Sequence, residues 1–108
     1  MRNLEIDKVQ FDERGLVPVV TQDAHTKSVL MLAYANRETL LESLEIGKIV
    51  YFSRSRNQRW LKGETSGNYQ ELVSLSLDCD GDTVLALVHT SGPACHNGTS
   101  TCFEEGRC

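Results

Sequence analysis

The sequence predicts a small α+β domain, β-rich and mainly antiparallel, built around one main helix. Three observations carry this. Short runs rich in Val and Leu are separated by turn residues, which is how strands read. Only one segment places apolar residues at helical spacing between a capping residue and a glycine stop. With one helix among several strands, an antiparallel arrangement fits better than βαβ units, which need a helix at each crossover.

The elements follow in order. Residues 16–22 (LVPVVTQ) and 28–34 (SVLMLAY) read as two strands joined by a polar turn. Pro18 has no backbone N–H, so the first of these is expected at a sheet edge or with a bulge. Asn36 offers an N-cap, Leu40, Leu41 and Leu44 follow at helical spacing, and Gly47 supplies the stop, which predicts a helix over 37–46. Residues 48–53 (KIVYFS) return to strand character. The stretch 54–68 is polar, basic and glycine-containing, and reads as a long irregular loop, a feature that usually signals function. Residues 70–77 and 83–89 are β-rich runs bracketing DCDGD, hence a hairpin. The remaining C-terminal residues, with Gly92, Pro93, Gly98 and Gly106, read as loop.

A chain of 108 residues with 40% hydrophobic content supports one domain, taken as 1–108, and shows no repeat or linker. So small a domain buries proportionally little surface, so a dimer or bound metals would help stabilise it. The formal net charge of −4 argues against a dedicated polyanion binder but leaves room for a local basic pocket. The N-terminus has no basic stretch leading into an apolar run, and no run approaches a membrane span. The protein is therefore expected to be soluble and cytoplasmic. In such a reducing compartment Cys79, Cys95, Cys102 and Cys108 point to metal or chemistry rather than to two disulfides.

Asp78, Cys79, Asp80, Gly81 and Asp82 form the densest chemical feature. Two unit charges ~4 Å apart repel by about 4 kcal/mol at an effective dielectric near 20. Three clustered carboxylates therefore call for a cation or for water, and oxygen ligands alone suit a hard ion such as Mg²⁺, Mn²⁺ or Ca²⁺. The plain alternative is a solvated hairpin turn, since Asp-Gly is a favoured hairpin dipeptide. An EF-hand does not fit, because Thr83 and His89 fall where its glycine and bidentate glutamate belong. An extended run would put the three aspartates on one face and Cys79 on the other, whereas a tight turn would disturb that alternation.

Cys95 and Cys102 are too far apart for a CxxC pair, so their spacing alone says little. A loop could still bring both thiolates to one ion, with Cys79 as third ligand and a fourth position open, the usual layout of catalytic zinc. Cys108, the terminal residue, is read as a spectator.

Arg54, Arg56, Arg59 and Lys62 concentrate positive charge in an acidic protein, with Trp60 among them and Gly63, Ser66 and Gly67 following. Guanidinium forks match phosphate, an indole offers a stacking face, and Gly/Ser backbone approaches anions closely. The set suits a phosphorylated nucleotide, although single-stranded RNA or a solvated surface loop would use similar residues. Of the histidines, His25 and His89 carry little signal. His96, beside Cys95, could move protons if a metal sits there.

Taken together, GLVPVVTQD, VLMLAYANRETL, YFSRSR, WLKGETSGN, LDCDGD and GPACHNGTSTCF make the chain closely resemble the phosphoribosyl-AMP cyclohydrolase family of histidine biosynthesis. The likeness runs from about Gly15 to Phe103. It implies that Asp78, Asp80 and Asp82 bind Mg²⁺, and that Cys79, Cys95 and Cys102 bind Zn²⁺ shared across an intertwined homodimer. It also implies hydrolysis of the N1–C6 bond of the adenine ring of a small nucleotide substrate, giving a formimino-carboxamide ribonucleotide. Zinc can lower the pKa of a bound water from about 15.7 to about 7, which supplies a nucleophile for C6. Arg54, Arg56 and Lys62 would neutralise phosphate, with Trp60 and Ser66 in the same substrate loop, and His96 is the candidate catalytic group. Arg59 departs from the family pattern, which has an apolar residue there. The chain is expected to lack the preceding pyrophosphohydrolase domain that some relatives carry. No nucleic-acid or membrane partner is expected. The rival readings are a nucleic-acid-binding module and a small structural zinc protein.

Overall fold

A computed structural model describes residues 4–64 and 66–90. Among the described residues, six strands and one α-helix follow a short 3-10 turn at Ile6–Lys8. The strands are β1 (Val17–Asp23), β2 (Val29–Ala35), β3 (Val50–Ser53), β4 (Gln58–Leu61), β5 (Gln70–Leu77) and β6 (Val84–Thr90), and helix α1 is Arg37–Ile46. They form a four-stranded sheet in the order β2-β1-β6-β5 and a separate β3-β4 hairpin. The architecture is α+β with one main helix, and every strand pair is antiparallel except β1 with β6.

Helix α1 occupies the predicted span because its ends are chemically specified. Asn36 Oδ1 accepts the Thr39 N–H at 2.9 Å while Thr39 Oγ1 accepts the Asn36 N–H at 3.0 Å, a reciprocal capping box. At the other end Gly47 takes φ 77°, a left-handed value that glycine adopts without steric cost. Ser43 then ties the helix to the hairpin: its Oγ donates to Thr39 O and accepts the Val50 N–H, both at 2.8 Å.

The core lies between the large sheet and the units packed on it. Val17, Val19 and Thr21 of β1 and Val84, Ala86 and Val88 of β6 are fully buried at alternate positions. Leu30 and Met31 are adjacent in sequence, yet both are buried. The reason is a bulge: Thr21 pairs with Met31 and Gln22 with Val29, so Leu30 is an extra residue on β2.

Two expectations need correction. Pro18 does not mark an edge, because β1 lies between β2 and β6. The β1–β6 ladder begins one residue later, at Val19 with Val84, so the missing N–H falls outside it. The register irregularity on this strand sits at Thr21/Gln22, away from Pro18. Residues 54–68 are not wholly irregular either. Gln58–Leu61 forms β4, whose four residues pair with Val50–Ser53, and a turn with Asn57 at φ 52° joins them. Of the two alternatives open for Asp78–Asp82, the structure shows the turn. The 70–77 and 83–89 runs pair as the predicted hairpin around it.

Candidate active site

The acidic cluster is built by that turn. Asp78 N–H donates to Thr83 O and Gly81 N–H to Asp78 O, each at 3.1 Å, which closes the loop. Asp78 Oδ1 accepts the Asp82 N–H at 3.1 Å. One carboxylate oxygen from each of Asp78, Asp80 and Asp82 then lies within 4.8 Å of the others, and all three residues are exposed. The turn and the cluster are one feature, because the turn gathers the carboxylates. Gly81 is required twice over. Its φ is 76°, and a Cβ there would sit 2.7 Å from Lys8 O, on a segment that also docks through a 2.8 Å bond from Gln10 N–H to Gly81 O.

The electrostatics show how tightly these charges are held. Lost solvation works against ionisation of Asp78, but hydrogen bonds from the carboxyls of Asp80 and Asp82 and from the Thr83 and Asp82 amides outweigh it, and its pKa falls. Asp82 shifts the opposite way, pushed up by its hydrogen bond with Asp80, by lost solvation and by the charges of Asp80 and Asp78. Neighbouring carboxylates whose affinities for a proton are driven apart are groups that lack a countercharge. An all-oxygen set at this spacing fits a hard divalent cation. Cys79 is a free, exposed thiol outside that oxygen cluster. Cys95, His96, Cys102 and Cys108 lie outside the described residues.

An open groove of about 510 Å³ runs between β2, the β3–β4 hairpin and the loop before β1. Arg14, Tyr34, Phe52, Ser53, Arg54 and Trp60 are among the residues that line it. The strand registers put this groove and the acidic turn at the same end of the large sheet. That end is where β1 and β6 begin and β2 and β5 finish.

The structure separates the predicted substrate residues into groups. Arg54 and Trp60 are in the groove, and the Arg54 guanidinium sits 3.9 Å from the Tyr34 ring centroid. Trp60 pairs across the hairpin with Tyr51, their ring centroids 5.4 Å apart. Lys62 lies outside the groove lining, is buried, and holds its ammonium 5.5 Å from the Trp60 ring. Arg56 is exposed in the hairpin turn, its N–H bonded to Ser53 Oγ. Ser66 is exposed and its Oγ accepts the Asn68 N–H at 3.2 Å. Arg59 is committed elsewhere: its Nε donates to Glu42 Oε1 at 2.7 Å and its Nη2 to Glu42 Oε2. Nothing in the sequence links Arg14 to Tyr34, and it is the groove that brings them beside Arg54 and Trp60.

Fold and site define a class: a small α+β domain with a turn of three clustered carboxylates and a basic, aromatic groove at one end of its sheet. The family model described as phosphoribosyl-AMP cyclohydrolase matches residues 31–104. Relatives agree. The chain is 55% identical to the phosphoribosyl-AMP cyclohydrolase of Archaeoglobus fulgidus over 96 residues, 89% of each chain. It is 51% identical to that of Roseobacter denitrificans over 100 residues, 93% of this chain and 78% of the other. It is also 58% identical to the histidine biosynthesis bifunctional protein HisIE of Thermus thermophilus over 100 residues, 93% of this chain and 47% of that one. The chain thus spans about half the length of such bifunctional relatives. It belongs to the phosphoribosyl-AMP cyclohydrolase family.

Proposed function

We propose that this chain hydrolyses the N1–C6 bond of the adenine ring of phosphoribosyl-AMP, the third step of histidine biosynthesis. The observation that carries the reading is the family match, which spans the acidic turn and the Trp60 hairpin alike. A nucleic-acid module or a purely structural zinc protein is not favoured, because these relatives are named as enzymes. A biosynthetic role on a small nucleotide suits the cytoplasm. Among the described residues no helix is long and apolar enough to cross a membrane.

In the reaction a water oxygen becomes the carboxamide oxygen at C6, the N1–C6 bond breaks, and N1 takes up a proton. Asp78, Asp80 and Asp82 would hold Mg²⁺, while Cys79, Cys95 and Cys102 would hold Zn²⁺, shared between the two chains of a homodimer. Bound zinc supplies the Lewis acidity that makes water nucleophilic near neutral pH. His96 would carry the proton toward the leaving nitrogen. Arg54 and Trp60 would bind phosphate and base in the groove, with Arg56, Lys62 and Ser66 contributing from the surrounding loop. Turnover of phosphoribosyl-AMP, followed by absorbance, tests the activity, and metal analysis of the purified protein tests the ions. A zinc-loaded protein that leaves the substrate unchanged would overturn the reading.

A further inference from the structure

We infer that the groove holds a nucleotide's phosphomonoester between Arg14 and Arg54, with Tyr34 positioning Arg54 and the base lying against Trp60. This deepens the proposed function and rests on it for the link to turnover.

The argument begins with which cations are spoken for. Arg37 lies 3.5 Å from Asp7 and Arg59 pairs with Glu42, so each already has a carboxylate partner. Among the described residues, Arg14, Arg54 and Arg56 form no such ion pair. Two of these three line the groove. Two unpaired guanidiniums in one concavity suit a dianion that each can grip by charge-assisted hydrogen bonds.

Each is also held in place. Arg14 rides on a closed loop: Asp12 Oδ1 accepts the N–H groups of Arg14 at 2.8 Å and Leu16 at 3.0 Å, and Gly15 N–H bonds Asp12 O at 2.9 Å. The bond from the Leu16 amide comes first among the causes that lower the Asp12 pKa, and the charges of Arg14 and Arg54 add to it. The Asp12 carboxylate already serves two backbone donors. Arg54 is stacked on Tyr34, and a cation held on an aromatic face loses little freedom when an anion binds. The groove volume of about 510 Å³ lies within the roughly 300–1,000 Å³ typical of small-molecule sites. Phosphoribosyl-AMP carries two phosphomonoesters, so a single cation in the substrate loop would leave charge unmatched.

The chain has one tryptophan, Trp60, and it lines the groove, so its fluorescence reports on this site alone. Titration with AMP should change that emission at concentrations about tenfold below those adenosine needs. Arg14→Ala should erase the difference between the two ligands, and Arg14→Lys should restore part of it. With phosphoribosyl-AMP, Arg14→Ala should raise KM about tenfold with kcat within about twofold, the pattern of lost uniform binding. Tyr34→Leu should raise KM several-fold and Tyr34→Phe should not, since only the ring face is needed. Equal binding of AMP and adenosine, or wild-type AMP binding by Arg14→Ala, would overturn the site. If phosphoribosyl-AMP is turned over while no ligand perturbs Trp60, the groove assignment fails and the activity stands. If AMP binds in an Arg14-dependent way without turnover, the site stands and the proposed reaction fails.

Discussion

The Tyr51 phenol donates to Gln70 Oε1 at 2.7 Å, and both side chains are essentially solvent-free. Because the phenol's single proton goes to Gln70, the 2.7 Å contact with Thr21 Oγ1 has Thr21 as donor. Gln70 continues the chain through Nε2 to Met31 Sδ at 3.5 Å. The small hairpin is thus joined to β1, β2 and β5 by buried polar bonds, which hold the wall carrying Trp60. Replacing Tyr51 by Phe strips a partner from two buried groups, at a cost of about 1–3 kcal/mol. Thermal unfolding should move down by several degrees, since each kcal/mol is worth roughly 4–8 °C in a domain of this size. An unchanged midpoint would show the network to be dispensable.

What the sequence made legible was local. Helix Arg37–Ile46 was readable because Asn36 and Gly47 specify its ends, and the β5–β6 hairpin because Asp80-Gly81 is a turn signal. Strand β4 was hidden because Gln58 and Arg59 interrupt any apolar alternation, and its pairing with Val50–Ser53 decides its state instead. Pro18 misled because a proline in mid-sheet is tolerable where one neighbour's ladder has not begun. The carboxylates were visible as a motif, whereas Arg14 and Tyr34 come together only through tertiary structure.

The Arg59–Glu42 pair fastens the hairpin to α1 and sets a pH dependence. The hydrogen bond from Arg59 comes first among the causes that hold Glu42 below its ordinary 4.5, and Arg59 is raised in return. A carboxylate whose folded pKa is lowered stabilises the fold above its unfolded pKa. That contribution fades as pH falls through 4.5 toward the lower folded value. Glu42→Gln should remove up to about 1 kcal/mol near neutrality and flatten the stability profile in that window. Urea midpoints at pH 7 and pH 3.5 would show it, and an equal loss at both would refute it.

Gly81 couples the acidic turn to the N-terminal segment. Alanine there meets both a left-handed φ, costing roughly 1–2 kcal/mol, and the Lys8 carbonyl 2.7 Å from the new Cβ. Gly81→Ala should lower stability by at least that amount and raise the Mg²⁺ concentration needed for half-maximal rate. Unaltered Mg²⁺ dependence in a destabilised protein would separate the turn from the metal.

Asp80→Asn tests the carboxylates directly. It removes one carboxylate of the proposed Mg²⁺ site from an exposed turn, so the fold should survive while Mg²⁺ dependence weakens and activity falls at least tenfold. Full activity at the same Mg²⁺ requirement would return the cluster to an ordinary turn.

Joining metal to assembly gives the most discriminating test. In the proposed arrangement Cys79 of one chain completes a site whose other two sulfurs, Cys95 and Cys102, belong to its partner. Cys79 suits such a role: its thiol is exposed and stands outside its own chain's oxygen cluster. Zinc bound across an interface adds its binding free energy to the dimer, so chelation should loosen assembly as well as stop turnover. Cys79→Ser and Cys95→Ser chains should each be nearly inactive alone. In a mixed dimer one site is damaged twice, and the other combines Cys79 of the second chain with Cys95 of the first and is intact. Random pairing makes half the dimers mixed, each with one good site of two, so about a quarter of wild-type activity per subunit should return. Mixed dimers verified by mass spectrometry and still inactive would place the zinc within a single chain.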